Sequence, residues 1–304
     1  MIDLRRLRVL RAVSYYGTVS AAADALHFTP SAASQQIRQL GRDLDVVLLE
    51  PHGRGVRLTP AAHNLLAHAD EIESRWQQAE AELRRSGDEP AGLLRISGFP
   101  TVMSAVIAPA AAALRDRYPA LQIRLREADP ANCFDLLFSG DTDLAVVEAF
   151  SDIPEATDRR FDQQVLMDDP LDLLVPQGHR FARRRRIKLA EAATDQWITG
   201  WPGSSCRDEV TAACTAAGFT PTIAQEAQEW PVVASLVAHG FGIALVPRLA
   251  QLPPDLPIVQ IPTIGRPAPC RQLLTATRRG ARTAPSVTTA VRELEAAAES
   301  LAAA

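Results

Sequence analysis

Ser31, Ser34, Gln35 and Arg38 lie in a segment where Ala33, Ile37, Leu40 and Leu44 recur at i, i+4, i+7 and i+11. An apolar stripe at that spacing is one face of a helix, which leaves the four polar side chains together on another. A glutamine can bond adenine through two atoms and an arginine can do the same to guanine, each pair discriminating by about 1–3 kcal/mol. Such side chains can read base edges in a DNA major groove, and they can equally be a plain solvated face. Thr29 before Pro30 suits a helix N-cap followed by a first-turn proline, and Ser20 stands near the start of a preceding helix. Amides at such helix starts can hold phosphates.

The elements that must position these groups are legible. Residues 4–16 predict a helix, with Leu4, Leu7, Val9, Leu10 and Val13 as its apolar face and Gly17 as its stop. Thr18 or Ser20 can cap a second helix over 21–26, and the third runs over 30–44. Two short helices joined by a tight turn, the second with an open polar face, make a helix-turn-helix. The stretch 46–59 reads as two short strands around Gly53-Arg54-Gly55, a wing whose Arg54 would reach the DNA backbone or minor groove, with Arg57 beside it. Thr59-Pro60 opens a long helix. Ala62, Leu65, Ala69, Ile72, Trp76, Ala79 and Leu83 step along it by alternating threes and fours, the seam of a coiled coil. Such a helix needs a partner helix or its own protein body along the seam.

Ser86 to Gly92 reads as a hinge, and the texture then changes. Strands are expected at 93–96, 121–125, 144–147, 171–175, 197–198, 243–246 and 273–277. Helices fall between them at 101–118, 206–217 and 232–239. Alternation of this kind implies parallel α/β sheets, and the length suggests two lobes. The expected units are a DNA-binding domain over 1–60 and a linker and dimerisation helix over 61–88. A two-lobed α/β body follows over 89–304, with lobe I near 91–165 and 266–304 and lobe II near 166–265.

The 304 residues are 47% apolar and 22% charged, with a net charge of −4. Residues 1–60 carry eight arginines against five acids, so a basic module precedes an acidic body. No run of about 18 apolar residues is present and the N-terminus has no secretory pattern, which together predict a cytoplasmic protein. Cys133, Cys206, Cys214 and Cys270 form no CxxC pair and no zinc spacing. There is no GxSxG, HExxH, GxxxxGK[ST] or GxGxxG, and the histidines do not cluster, so neither an enzyme nor a cofactor is expected.

Leu7–Val13, Gly17-Thr18-Val19-Ser20-Ala21-Ala22-Ala23, Ala25–Thr29, Pro30–Leu40 and Gly53–Pro60 together resemble the LysR-type bacterial transcriptional regulators. Leu94–Ser97, Arg117-Tyr118-Pro119, Asp143–Val146 and His239–Pro247 resemble that family's effector domain. The resemblance implies an α/β chain: an N-terminal winged helix-turn-helix, a long linker helix and a two-lobed α/β effector-binding domain of periplasmic-binding-protein type. Its implied partners are double-stranded promoter DNA, a small-molecule effector, a second copy in a homodimer or homotetramer, and RNA polymerase if it activates. No membrane partner is implied. Implied DNA-binding residues are Ser20, Thr29, Pro30, Ser31, Ser34, Gln35, Arg38 and Arg54. Implied dimerisation residues are Leu65, Ala69, Ile72, Trp76, Ala79 and Leu83. The family usually has an acid at Gly41, a glycine at Asp45, a phenylalanine at Leu49 and an arginine at Pro51, and Gly41 costs about 1 kcal/mol of helix relative to alanine.

In this family a small metabolite binds in the cleft between the lobes. By position, the first lip is Gly98, Phe99, Pro100, Thr101 and Val102, where Thr101 offers a hydroxyl at a helix start. A second lip is Thr199, Trp201, Ser204 and Ser205. Glu148 and the pair Glu229 and Trp230 stand at two further strand ends or loops. Thr101 also reads as a plain helix cap, and the two tryptophans as packing. The two glutamates favour a ligand with an amine or hydroxyls over an anion. Arg183-Arg184-Arg185-Arg186 reads as a solvated loop. Two rival functions are a redox sensor using Cys206 and Cys214 and a solute-binding protein of the transport type. Against the first, eight residues of helix separate the thiols by about 12 Å, and Ser205 stands where the peroxide-sensing members keep their first cysteine.

Overall fold

The computed structural model describes residues 3–52, 55–83, 90–149, 153–265 and 268–303. The chain opens with α1 (Leu4–Tyr16), α2 (Val19–Ala25) and α3 (Pro30–Leu44), then a hairpin of β1 (Leu49–His52) and β2 (Gly55–Leu58), then α4 (Pro60–Leu83). Helix starts follow hydroxyl and carboxylate caps. Asp3 accepts from the Arg5 amide, Thr29 from Ala32 and Thr59 from Ala62. Thr18, not Ser20, caps α2, so Ser20 is free and exposed in its first turn. Gly41 is buried, and a Cβ there would lie 2.6 Å from the Val46 carbonyl oxygen. That close approach lets the Val46 amide donate to Gly41 O and end the helix. Asp45 carries the left-handed φ of +52° where the resemblance calls for glycine.

The body follows in chain order. β3 (Gly92–Gly98) leads to α5 (Pro100–Val102), which continues through a π-turn (Met103–Ile107) into α6 (Ala108–Arg117). Next come β4 (Leu121–Glu127), α7 (Pro130–Ser139), β5 (Leu144–Glu148) and the long β6 (Phe161–Pro176). Lobe II adds β7 (Ile187–Lys188), β8 (Gln196–Thr199), α8 (Ser205–Ala216), β9 (Thr222–Glu226), α9 (Trp230–Ala238), β10 (Ala244–Pro247), β11 (Ile258–Ile261) and β12 (Thr263–Ile264). β13 (Cys270–Arg278) and α10 (Pro285–Ala303) return to lobe I.

One seven-stranded sheet runs through both lobes in the order β10-β6-β13-β5-β3-β4, with β11 also paired to β6. The strands β3, β4 and β5 are parallel, as expected. β6 and β13 are antiparallel to each other and to the strands beside them, which corrects the all-parallel expectation. They are the two connections between lobes, one leaving and one returning, so they must run in opposite directions. Lobe I packs α6 and α10 on one core around Leu94, Ile96, Leu114 and Leu294. Lobe II holds separate cores around Trp197 and around Val233.

The helix-turn-helix does not stand apart. α7 of lobe I and the apolar faces of α1, α3 and α4 share one core, with Leu7, Leu10, Ile37 and Leu40 on one side and Phe134, Leu137 and Phe138 on the other. Tyr15 stacks on Phe138 with ring centroids 4.5 Å apart. The Arg160 guanidinium lies over the Tyr15 ring, 4.5 Å from its centroid. Burial and the nearby Asp135 carboxylate both raise the Tyr15 phenol above its usual range. Arg8 donates to the Ser139 carbonyl, and Arg278 donates to the carbonyls of Leu137 and Thr142 at 3.1 and 2.7 Å. These guanidinium groups supply the α7 C-terminus with donors its last carbonyls lack.

Phe138→Ala is expected to cost about 3–5 kcal/mol, because it opens a cavity shared by α1 and α7. Urea denaturation of the full chain measures it, and an unchanged midpoint would show that the two modules do not share a core.

Candidate DNA-reading face and interlobe cleft

α3 buries Ala33, Ile37, Leu40 and Gly41 and presents Ser31, Gln35 and Arg38 to solvent, with Pro30 exposed at its start and Ser34 half-buried beside them. Among the described residues no side chain bonds Gln35 or Arg38. Among the described residues, most other arginines of the module, Arg5 excepted, are committed to the protein itself. Arg6 pairs with Asp43, Arg11 with Asp70 at 2.8 Å, and Arg42 donates to Gln39. Arg57, 63% exposed, pairs across the wing with Glu50 at 2.5 Å. Thr29 Oγ1 lies 3.1 Å from Ser31 Oγ, so the helix start carries a hydroxyl pair. Arg54 lies outside the described residues.

Along α4, Ala69 is buried against the chain's own core and Leu65 is half-buried there. Ala69 is therefore corrected from partner contact to protomer core, since α1 already covers it. Ile72, Trp76 and Leu83 are 37%, 48% and 74% exposed, and Ala79 is exposed with them. The uncovered apolar stripe is thus the C-terminal half of the predicted seam. The opposite face of α4 meets lobe I, where Arg278 reaches Gln77 and Arg159 faces Glu71.

Between the lobes, Trp230 Nε1 donates to Thr101 Oγ1 at 3.1 Å, a contact across the cleft from α9 to the start of α5. Thr101 and Phe99 are buried, and Pro100 is exposed. Val102 is fully buried in the lobe I core and Gly98 is walled by Ile107, Val102 and Val146. Both are corrected from ligand contacts to packing positions. Thr199 is buried and turns its hydroxyl to the Gly200 carbonyl. Ser204 caps α8 and also donates to Trp201 O at 2.8 Å, with Ser205 half-buried behind it. Trp201 is 55% exposed, and Glu229 is exposed at the N-cap of α9 without a capping bond.

Glu148 is not free to meet a ligand. Its Oε2 accepts from Arg271 Nη1 at 3.0 Å, and Arg271 Nε donates to Asp169 at 2.9 Å. All three are buried, and the guanidinium rests 5.1 Å from the Phe99 centroid. Arg271 Nη2 lies 2.9 Å from Asp169 but off the hydrogen-bond direction, so that N–H is left without an acceptor. Burial raises Asp169 despite the Arg271 charge. Glu209 on α8 faces the same cluster, and burial, then the Glu148 charge, push it up to about 8. A cavity of about 760 Å³ opens beside them, lined by Asp168, Glu209, Cys270, Arg271 and the alanines of α8. Asp169, Arg271 and Glu209 have no local sequence signal, because their partners lie on other elements. The offset from Arg271 to Glu148 is 123 residues.

Comparison with known proteins places the chain. Residues 4–63 match the model for the bacterial regulatory helix-turn-helix protein, lysR family, and residues 87–299 match the LysR substrate binding domain. The chain belongs to the LysR family: it is a LysR-type transcriptional regulator with a helix-turn-helix DNA-binding domain and a two-lobed effector-binding domain. It is 28% identical over 252 residues to the transcriptional dual regulator GltC of Bacillus subtilis, covering 81% of each chain. It is likewise 28% identical over 281 residues to OxyR of Escherichia coli, covering 90% of this chain and 88% of that one. A full-length OxyR structure from Pseudomonas aeruginosa shares the fold, with a TM-score of 0.66, 20% identity and 97% and 95% coverage.

The raised Glu209 carboxyl has a consequence for stability. The folded chain keeps a proton there that the unfolded chain releases near the usual carboxylate range, so this group's stabilising effect is full in acid and fades as pH rises toward about 8. Glu209→Gln removes the titration. Its unfolding free energy is expected to fall less than that of the wild type between pH 5 and 8, and denaturant titrations at both pH values check it. Parallel losses in the two proteins would mean that Glu209 is not held neutral.

Proposed function

We propose that α3 reads DNA bases through Gln35 and Arg38, with Ser31 and Ser34 beside them, and that Ser20, Thr29, Pro30 and Arg54 meet the backbone. The observation that carries this is the pair of uncommitted side chains on α3 in a module whose other cations are largely tied down. Two copies pair along the exposed stripe Ile72, Trp76, Ala79 and Leu83, so that two recognition helices meet a two-fold related site. The chain divides near residues 60 and 88, and the body into lobe I over 91–165 and 266–304 and lobe II between them. Its work is binding, not catalysis, on promoter DNA in the cytoplasm, and no described helix is long and apolar enough to cross a membrane.

The effector enters the cavity beside Glu209 and Arg271, where α8 faces the hinge strands β6 and β13. Its lining pairs Asp168 and Glu209 with Lys188 and Arg271, while Glu148 and Asp169 are held by Arg271, a balanced site that suits a ligand bearing hydroxyls. A ligand shifts the lobes only by binding one arrangement better than the other.

The OxyR likeness favours a second reading, in which thiol oxidation is the signal. Burial, with help from the Glu209 charge, raises Cys206 to about 11, and burial alone raises Cys214 to about 12. Thiols so protonated are poor nucleophiles. Peroxide is therefore expected to leave DNA binding unchanged over the dose that oxidises an exposed thiol, and a loss or gain of binding that dithiothreitol reverses would favour the redox reading.

The primary test is fluorescence anisotropy with DNA from upstream of the protein's own coding region. Gln35→Ala and Arg38→Ala are each expected to weaken specific binding by about 1–3 kcal/mol. Trp76→Arg is expected to weaken it as well, together with loss of the dimer in sedimentation. Full affinity in all three variants would refute the assignment.

A further inference from the structure

Residues 180–188 read Arg-Phe-Ala-Arg-Arg-Arg-Arg-Ile-Lys: six cations in nine positions and no acid. The sequence alone suggests a solvated loop, but the structure holds this segment firmly. Phe181 and Ile187 are 5% and 1% exposed and both belong to the lobe II core. Turn bonds from Ala182 N to His179 O and from Arg184 N to Phe181 O fold the chain between them. The Ile187 amide donates to Pro262 O, and β7 then pairs with β12. The arginine run is thus strung between two buried anchors.

The neighbouring carboxylates satisfy only two of the cations. Asp195 takes Arg180 at 2.6 Å, and Glu191 takes Arg184 at 3.4 Å. Arg183, Arg185 and Arg186 are exposed, and among the described residues none has an ion-pair partner. Three bare guanidinium groups on a fixed turn repel one another, and a polyanion relieves that. Guanidinium forks match phosphate oxygens two at a time. Beyond residue 60 the chain carries seven more acids than bases, so most of the body repels DNA. This turn is the place on lobe II where a phosphate backbone is attracted.

The turn belongs to a core that shares no residue with the core holding α1 to α4. The turn and α3 are thus carried by separately packed units. We propose that the Arg183–Arg186 turn of lobe II is a second, sequence-independent DNA contact, which takes the phosphate backbone of duplex flanking the α3 site. The contact rests on the DNA-binding reading above and adds to it a place where lobe movement alters the path of the flanking DNA. Once α3 is bound, the flanking duplex is tethered at high effective concentration, so few phosphate contacts suffice.

The test compares two duplexes from the upstream region: one trimmed to the shortest length that still binds, and the same one extended on both sides. Each phosphate neutralised adds about 0.9 to the slope of log K against log salt. The wild type is expected to show a steeper slope on the extended duplex, by about 2–3 per chain engaged. R183Q/R185Q/R186Q is expected to lose that increment and to bind the trimmed duplex as the wild type does. R183K/R185K/R186K is expected to keep the increment, since the charge remains. Equal slopes for wild type and the glutamine variant on the extended duplex overturn the proposal. So does loss of the increment in the lysine variant, and so does unchanged DNA binding accompanied by loss of binding to poly-glutamate, which would mark an acidic protein partner. Failure of the α3 reading is distinct, because it abolishes the effect of Gln35→Ala on the trimmed duplex.

Discussion

Phe138 is the side chain on which the two halves of this regulator meet. One of its neighbours is Tyr15 of α1, stacked at 4.5 Å. Another is Arg11, whose guanidinium lies 5.3 Å from the ring centroid while it pairs with Asp70 and Glu73 of α4. One aromatic ring from lobe I thereby contacts the first helix of the DNA-binding module and, through Arg11, the linker helix. Arg8 and Arg278 close the same joint by capping α7. The position of α3 follows from this joint, because α3 packs on α1 through Ile37 and Leu40. Packed side chains of this kind hold discrete arrangements in place of a continuum.

The hinge between lobes is built on different physics. β6 and β13 cross from one lobe to the other, and at the crossing they bury Asp169 and Arg271 against Glu148. A buried ion group of this kind is a poor stabiliser compared with apolar packing, but breaking one member is costly because a charge is left unpaired. That asymmetry suits a hinge. The cluster resists rearrangement at its own position. Glu209, on α8, is the member that belongs to lobe II, and its pKa is raised first by burial and then by the Glu148 charge. The Thr101–Trp230 hydrogen bond also joins the two lobes.

The helix-turn-helix was legible at the level of single caps. Thr29-Pro30 and Thr59-Pro60 open helices where the residue types say they should. The strands of the body were legible as apolar runs, yet β9, β11 and α7 left no usable signal. β9 alternates half-buried and exposed residues over only five positions. α7 is apolar enough to pass for a strand, because it is covered by the DNA-binding module as well as by its own sheet. The seam on α4 was correctly seen as apolar, but its periodicity could not say that Ala69 faces its own protomer while Trp76 does not.

By itself the sequence determined the order of modules, the polar face of α3 and the family, since caps, periodicity and motif spacing act within a few residues of one another. Only the tertiary structure decided which arginines are free. Arg38 and the turn at Arg183 stay uncommitted, whereas Arg57 is taken up across a hairpin and Arg271 by carboxylates 102 and 123 residues away. A charge is neutralised by whatever the fold brings within a few ångströms, and that distance is not written in sequence separation.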